Sequence, residues 1–144
     1  MFRFLLRCSD RARHIRRRRF LGPDHAAGKL GEDLAHRYLQ DEGFLVVARN
    51  WRARSGLSEI DLVARDGEKL VFVEVKTRAS TDYGSPERAM DEEKRRRIFR
   101  GAREYVRRAG AEWSAVRFDY VGVVLSRPPR IEHLRDIYPL DTAR

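Results

Sequence analysis

The stretch that most constrains the fold runs from Ser58 to Arg78 and reads SEIDLVARDGEKLVFVEVKTR. Two apolar, β-branched runs flank Asp66-Gly67, which is a strong signal for a β-hairpin. Charged residues interrupt both runs where a buried strand should be apolar: Asp61 in the first, and Glu74 and Lys76 in the second. The chain must therefore pair two strands and also accommodate charged side chains close to the sheet.

The alternation of side chains predicts where these charges meet. Successive side chains of a strand point to opposite faces, so Glu74 and Lys76 share one face and the apolar residues between and beside them share the other. A hairpin with a two- or four-residue loop places Asp61 on the same face as Glu74, opposite or diagonal to it. We therefore expect two carboxylates and an ammonium group to converge on one patch of sheet.

Such a patch is suited to a metal ion. Two nearby carboxylates repel each other unless a proton or a cation lies between them, and Mg²⁺ prefers oxygen ligands while keeping several waters. A lysine beside the ion can orient or deprotonate an attacking water and stabilise developing negative charge. Asp61, Glu74 and Lys76 therefore predict metal-dependent phosphodiester hydrolysis. The alternative is that Glu74 and Lys76 form a solvated pair on an exposed strand.

Several ordered motifs resemble the uncharacterised bacterial YraN family. They are Gly31-Glu32, Arg49-Asn50-Trp51-Arg52, Glu59-Ile60-Asp61-Leu62-Val63, Val71-Phe72-Val73-Glu74-Val75-Lys76-Thr77-Arg78, Gly84-Ser85-Pro86, Lys94 and Arg117-Phe118-Asp119. The resemblance covers about residues 26–138. In one departure, Ser58 stands where the family usually has glycine before Glu-Ile-Asp, which affects the turn and not the carboxylates.

That family is a branch of the PD-(D/E)XK nuclease superfamily, related to archaeal Holliday junction resolvases. The resemblance implies a restriction-endonuclease-like α-β-β-β-α-β core, an α/β fold in which helices flank a mixed sheet. The order of elements along the chain (helix, three strands, helix, two strands) matches it. The implied catalytic residues are Glu32, Asp61, Glu74 and Lys76. Asp61, Glu74 and Glu32 would ligate Mg²⁺ or Mn²⁺, and the Val75 carbonyl could complete the ligand set.

The first predicted helix runs from Asp24, its N-cap, to Glu42. One face combines apolar and small residues at helical spacing: Ala27, Gly31, Leu34, Ala35, Tyr38 and Leu39. Gly28 and Gly31 are unfavourable inside a helix, so they indicate close packing against the sheet. Glu32 lies at the margin of this face. It is either a third carboxylate of the site or an ordinary surface glutamate.

The second predicted helix runs from Asp91, its N-cap, to Ala109. Its buried stripe comprises Ile98, Ala102, Tyr105, Val106 and Ala109. The other faces are coated with cations: Lys94, Arg95, Arg96, Arg97, Arg100, Arg103, Arg107 and Arg108. Because the guanidinium group donates paired hydrogen bonds to phosphate, this helix is suited to a duplex backbone.

The formal net charge of +9 predicts attraction to polyanions, nucleic acid first and anionic membrane second. The residues expected to contact nucleic acid are Arg52, Arg54, Arg78, Lys94, Arg95 and Arg97. Trp51 could stack on a base or cap the edge of the core. Asp119 could bond loop backbone or an arginine.

We expect one domain over residues 25–138, preceded by a basic extension (1–24) and followed by a tail (139–144). The extension either adds salt-sensitive phosphate contacts or takes no part in binding. The single cysteine, Cys8, excludes an intrachain disulfide and a thiolate zinc site and fits a reducing cytoplasm. No apolar run is long enough to span a bilayer.

These observations predict a nucleic-acid-binding protein, a Mg²⁺-dependent endonuclease that acts on branched DNA by attack of a metal-activated water. DNA is favoured over RNA, no membrane is involved, and the dimeric junction-cutting relatives suggest a homodimer. One alternative is a non-catalytic nucleic-acid-binding module that retains the nuclease fold. A weaker alternative is a protein whose basic face meets an acidic partner or a membrane.

Overall fold

A computed structural model describes residues 23–79 and 92–140. The elements are α1 (Pro23–Asp41), β1 (Leu45–Arg52), β2 (Glu59–Asp66), β3 (Lys69–Arg78), α2 (Glu92–Ala109), β4 (Val116–Val124) and β5 (Arg130–Leu134), with a 3₁₀ turn at Trp113–Ala115. Helix α1 begins one residue before its expected cap, since proline suits the first helical position. The predicted basic extension, the Gly84-Ser85-Pro86 motif and the Asp91 cap lie outside the described residues.

The five strands form one mixed sheet in the order β1-β2-β3-β4-β5. Strands β1, β2 and β3 are antiparallel, β4 runs parallel to β3, and β5 is antiparallel to β4. The hairpin between β2 and β3 closes through two residues with Asp66 paired to Lys69, and Gly67 adopts a φ of 57° that favours glycine. The parallel step from β3 to β4 passes through α2. This arrangement confirms the predicted α/β class and is compatible with a restriction-endonuclease-like core.

The helices cover opposite faces of the sheet. Leu70 and Phe72 of β3 pack in the cluster that includes Ile98 and Ala102 of α2. The alternate residues of β3, such as Val71, pack with α1. This alternation puts Glu74 and Lys76 on one face, as the sequence predicted, and that face is the α2 side.

Close packing of α1 on the sheet depends on one glycine. A Cβ at Gly31 would collide with the side chain of Thr77 on β3, whereas a Cβ at Gly28 would meet no atom within 4 Å. The prediction of close approach is therefore confirmed for Gly31 and wrong for Gly28. Because Glu32 follows Gly31, the same contact brings Glu32 close to the end of β3.

Helix α2 packs through Ile98, Phe99, Ala102 and Val106. Phe99 stacks on Phe118 of β4 with ring centroids 4.4 Å apart, a contact that the predicted stripe missed. Ala109 is exposed, so its assignment to the buried stripe was wrong. The predicted stripe was therefore too long, since Val106 is the last buried residue of α2.

Trp51 and Ser58 show how β1 and the following turn meet α2. Trp51 packs edge-on to Tyr105 at 5.4 Å between ring centroids, so it caps the core edge as one of the two alternatives predicted. Ser58 is 5% exposed and its hydroxyl donates to the Arg97 carbonyl at 2.7 Å. A Cβ at Gly101 would collide with that hydroxyl group. The lack of a Cβ at Gly101 of α2 therefore leaves room for the Ser58 hydroxyl group.

Neither described helix is long and apolar enough to cross a membrane.

Candidate metal centre

Asp61 lies where β2 and β3 separate. The two strands are paired from Asp66 and Lys69 up to Leu62 and Val73, and the ladder stops there. One residue further, Asp61 Oδ2 accepts a hydrogen bond from the backbone N–H of Val75 at 2.8 Å. A side-chain carboxylate thus replaces the backbone ladder, and it sits in the gap between the two strands.

This position differs from the predicted one. Residues two apart on a regular strand face the same way, yet Ile60 packs on the α2 side and Leu62 on the α1 side. The alternation is broken at Asp61, whose carboxylate lies between the strands at the Val75 N–H, where the charge of Glu74 also acts on it. The strict alternation assumed from sequence was wrong at this residue.

Strand β1 has a matching irregularity at Asn50. Its neighbours Arg49 and Trp51 pair with Leu62 and Ile60, but Asn50 makes no ladder pair with Asp61. Asn50 has a left-handed φ of 48°, and its Nδ2 donates to Glu32 Oε2 at 3.1 Å. Asn50 lies in the Arg49-Asn50-Trp51-Arg52 motif, but the sequence pattern predicts no role for it because a left-handed backbone leaves no periodic signal.

Electrostatics single out Asp61, Glu74 and Glu32, here called the acidic centre. Burial raises the pKa of Asp61 well above its usual value; the Glu74 charge raises it further, and the Val75 N–H opposes the rise. Glu32 and Glu59 also raise the pKa of Asp61. Burial raises the pKa of Glu32 as well, against the Asn50 hydrogen bond and the Arg49 charge. Negative charge is therefore concentrated at the end of the β2–β3 ladder.

Glu74 is held by a lysine from the first turn of α2. Lys94 Nζ lies 2.7 Å from Glu74 Oε1, and the Glu74 side chain is 15% exposed. Lys76 is exposed on the same face of β3. The structure thus brings Lys94, expected to contact nucleic acid, into an ion pair with a predicted metal ligand.

The acidic centre offers oxygen donors without forming a complete cage. Among the described residues, no three His, Cys, Asp or Glu side chains are grouped tightly enough to hold an ion by themselves. Mg²⁺ is commonly bound through one or two carboxylates and keeps the rest of its shell as water. Asp61 and Glu74, with Glu32 nearby, fit that mode because their mutual repulsion is what a hard cation would relieve.

The outer surface of α2 carries exposed arginines. Arg96, Arg100, Arg103 and Arg107 follow one another at intervals of four, three and four residues and are exposed. We call them the arginine stripe; at 1.5 Å per residue they extend over about 16 Å. Arg103 also lies over the Trp113 ring at 4.4 Å. Because Lys94 in the first turn of α2 pairs with Glu74, the stripe leads away from the acidic centre.

The other residues expected to contact nucleic acid have varied surroundings. Arg52 pairs with Glu59 at 3.0 Å. Arg95 pairs with Glu92 at 3.3 Å and lies over the Phe99 ring. Arg54 and Arg97 are exposed, and Arg78 is half-buried.

A second polar cluster lies on the α1 side of β4. Asp119 is fully buried and accepts two hydrogen bonds from Arg117, at 2.8 and 2.9 Å. His133 Nε2 lies 2.8 Å from Asp119 Oδ2, and the Asp136 backbone N–H donates to Oδ1 at 3.1 Å. Both alternatives for Asp119, loop backbone and arginine, therefore hold. This cluster ties β4 to β5 and to the segment after it.

Comparison with known proteins gives a family but no activity. Residues 31–123 match the profile described as "Uncharacterised protein family UPF0102". A UPF0102 protein of Solibacter usitatus is 55% identical over 138 residues, covering 96% of this chain and 100% of the relative. One from Rhodococcus jostii is 50% identical (78% of this chain, 96% of the relative), and one from Geobacter sulfurreducens is 43% identical (78% and 88%).

Proposed function

This chain belongs to the uncharacterised protein family UPF0102, and from that premise we propose that it is a Mg²⁺-dependent endonuclease acting on branched DNA. The proposal combines the restriction-endonuclease-like fold of the YraN resemblance with the acidic centre and the basic surface of α2. Fold alone does not fix activity, so the proposal depends on the site.

The observation that carries the proposal is the position of Asp61. Its carboxylate lies in a gap between separating strands, and its pKa is raised well above the usual value by burial and by the charges of Glu74 and Glu32. The Val75 backbone N–H donates a hydrogen bond to it. A buried carboxylate whose pKa is raised by neighbouring carboxylates is typical of a functional site.

Each side chain of the site has a separate proposed role in metal binding, water orientation or phosphate contact. Asp61 and Glu74 would hold a divalent ion, with Glu32 as the third carboxylate. The ion would supply Lewis-acid polarisation of the phosphate and lower the pKa of a bound water. Lys76, exposed beside Glu74, would orient the attacking water and stabilise negative charge on the phosphate. Arg78, on the same face, would hold a neighbouring phosphate.

The basic surface supports a nucleic-acid substrate. The arginine stripe carries four guanidinium groups along one side of α2, and the net charge of +9 adds long-range attraction. The preference for branched DNA over RNA, a homodimeric state and a cytoplasmic location follow from the resemblance and the single cysteine, and form part of the proposal.

The test compares wild-type protein with Asp61→Asn and Glu74→Gln on four-way, flapped and linear DNA, with Mg²⁺ or Mn²⁺. The matched control is Glu68→Gln, which removes an exposed carboxylate from the hairpin loop. We expect cleavage by the wild type and the control, and a loss of about 10²-fold or more in both site variants, because each removes a charged ligand. Wild-type protein that cuts none of these substrates would overturn the catalytic proposal.

A second candidate function, a non-catalytic DNA-binding module, is favoured by the Lys94–Glu74 ion pair. An internal ammonium at 2.7 Å already neutralises one of the proposed ligands. In that case DNA would bind with a steep dependence on salt concentration, without cleavage and without any effect of divalent ions. Isothermal titration with Mg²⁺ separates the two candidates.

A further inference from the structure

We propose that Asn50 is a positioning residue that holds Glu32 at the acidic centre and thereby increases its affinity for a divalent ion. This inference rests on the proposed function, since it assigns a role toward the same ion. It goes beyond the proposed ligands because Asn50 supplies no carboxylate and acts through Glu32.

The contacts of Glu32 support this role. Asn50 Nδ2 donates to Glu32 Oε2 at 3.1 Å. Arg49, the other polar neighbour on β1, lies 3.8 Å from the same oxygen but forms its shorter contact, 2.7 Å, with Asp33. Of the two β1 side chains, the Asn50 amide therefore makes the closer contact and fixes the orientation of the Glu32 carboxylate.

The backbone of Asn50 explains how the amide reaches α1. Arg49 lies on the α1 side of the sheet, where it contacts Asp33, and Trp51 packs on the α2 side. Residues on either side of a regular strand position would share a face, so the chain turns at Asn50, where φ is 48°. Asparagine tolerates this left-handed conformation better than most residues.

The irregularity in β1 faces the one in β2. The pairs Arg49–Leu62 and Trp51–Ile60 enclose Asn50 and Asp61, which form no ladder pair. At this one break in the pairing of β1 and β2, the Asp61 side chain bonds to the Val75 N–H and the Asn50 side chain bonds to Glu32. Strained backbone of this kind is concentrated at functional sites.

An asparagine suits this place chemically. Its amide donates a hydrogen bond to Glu32 while adding no charge next to Asp61 and Glu74. A glycine would adopt the same φ without strain but would offer no donor. Outer partners that orient a metal-binding carboxylate typically change metal affinity by about 10- to 100-fold when removed.

The experiment measures Mn²⁺ and Mg²⁺ affinity by isothermal titration, together with the melting temperature of the metal-free protein. Asn50→Gly removes the donor and keeps the backbone conformation. The matched control is Asp136→Gly, because Asp136 also has a left-handed φ, 55°, and its backbone N–H bond to Asp119 survives the change. We expect about tenfold weaker ion binding in Asn50→Gly, unchanged affinity in the control, and metal-free melting temperatures close to that of the wild type in both.

Two further variants separate a positioning role from a general structural one. In a Glu32→Gln background, Asn50→Gly should cause no further loss of affinity, because its effect passes through Glu32. Glu32→Asp, which withdraws the carboxylate from the Asn50 amide, should weaken ion binding about as much as Asn50→Gly. An additional loss in the double variant, or full affinity in Glu32→Asp, overturns the inference.

The outcomes also distinguish this inference from the proposed function. Wild-type affinity in Asn50→Gly, with weakened binding in Glu32→Gln and Glu74→Gln, overturns the role of Asn50 and leaves the metal site standing. Absence of ion binding by the wild-type protein overturns both.

Discussion

Two aspartates with opposite pKa shifts define the chemistry at the residue scale. Burial opposes the charged form of both, but Asp61 is surrounded by carboxylates whereas Asp119 has Arg117 and His133 beside it. The pKa of Asp61 is raised and that of Asp119 is lowered. Ionised Asp61 therefore destabilises the folded protein, whereas ionised Asp119 stabilises it.

Asp119 should account for part of the acid sensitivity of the fold. Its hydrogen bonds from His133 and Arg117 outweigh burial and hold its pKa below the usual 3.8. Its contribution is therefore complete above 3.8 and is lost as pH falls through the lower folded value. Asp119→Asn should reduce the free energy of unfolding by about 3 kcal/mol at pH 7, because it leaves buried partners unsatisfied.

Thermal unfolding between pH 2 and pH 7 measures this effect, which should be constant above 3.8 and decline below it. The difference between wild type and Asp119→Asn should shrink as the pH falls, because both side chains then lack a charge. Asp41→Asn, an exposed change at the end of α1, is the control and should show little difference at any pH. A constant difference across the range would contradict the assigned role.

Lys94 should compete with a divalent ion for Glu74. With Lys94→Gln, the metal-free protein should lose about 1–3 kcal/mol of stability, because Glu74 is only 15% exposed and loses its paired cation. Mg²⁺ affinity should rise, because no internal cation has to be displaced. Titration calorimetry with Lys69→Gln, a change at an exposed lysine of the hairpin, as control measures the change. Weaker Mg²⁺ binding would show that Lys94 assists the site instead.

At the scale of elements, the packing of α1 on β3 sets the position of Glu32. Gly31→Ala should reduce the free energy of unfolding by about 3 kcal/mol, because its methyl group would occupy the space of the Thr77 side chain. Gly28→Ala is the matched change in the same helix, with no atom within 4 Å of the added Cβ. It should stabilise the protein by up to about 1 kcal/mol through helix propensity.

Urea denaturation of the two variants measures this difference. Because Gly31 precedes Glu32, any folded Gly31→Ala protein should also bind Mg²⁺ more weakly, whereas Gly28→Ala should bind it as the wild type does. Equal stability of the two alanine variants would mean that α1 can move away from β3 without cost.

At the scale of the whole molecule, the asymmetric charge should govern DNA affinity. Replacing Arg96, Arg100 and Arg107 by glutamine should weaken DNA binding and reduce the slope of log K against log salt by about 2–3, close to one per lost phosphate contact. The matched control replaces Arg37, Arg127 and Arg130, which are exposed and lie outside α2, so that net charge changes equally. Fluorescence anisotropy at several salt concentrations gives both slopes. Equal slopes would indicate that net charge, and not the arginine stripe, attracts DNA.

Local patterns were sufficient to predict the elements, their order and most of the buried faces. The hairpin around Asp66-Gly67, the face shared by Glu74 and Lys76, and the packing of Gly31 all follow from the period of a strand or a helix, which neighbouring residues impose. The family resemblance added the match of this order to a restriction-endonuclease-like core. Two predictions were wrong. The helical period was extended too far at Ala109, and close packing was inferred at Gly28 from its residue type alone.

The sequence by itself determined which charged residues had to lie near the sheet, because carboxylates within apolar strands cannot be hidden elsewhere. Only the tertiary structure decided how they meet. Two contacts join residues far apart in the chain: the Asn50–Glu32 hydrogen bond and the Lys94–Glu74 ion pair. The irregularities of β1 at Asn50 and of β2 at Asp61 face each other across two paired strands. Such contacts depend on strand separation and helix placement, and a break in alternation leaves no periodic trace by which local sequence could predict it.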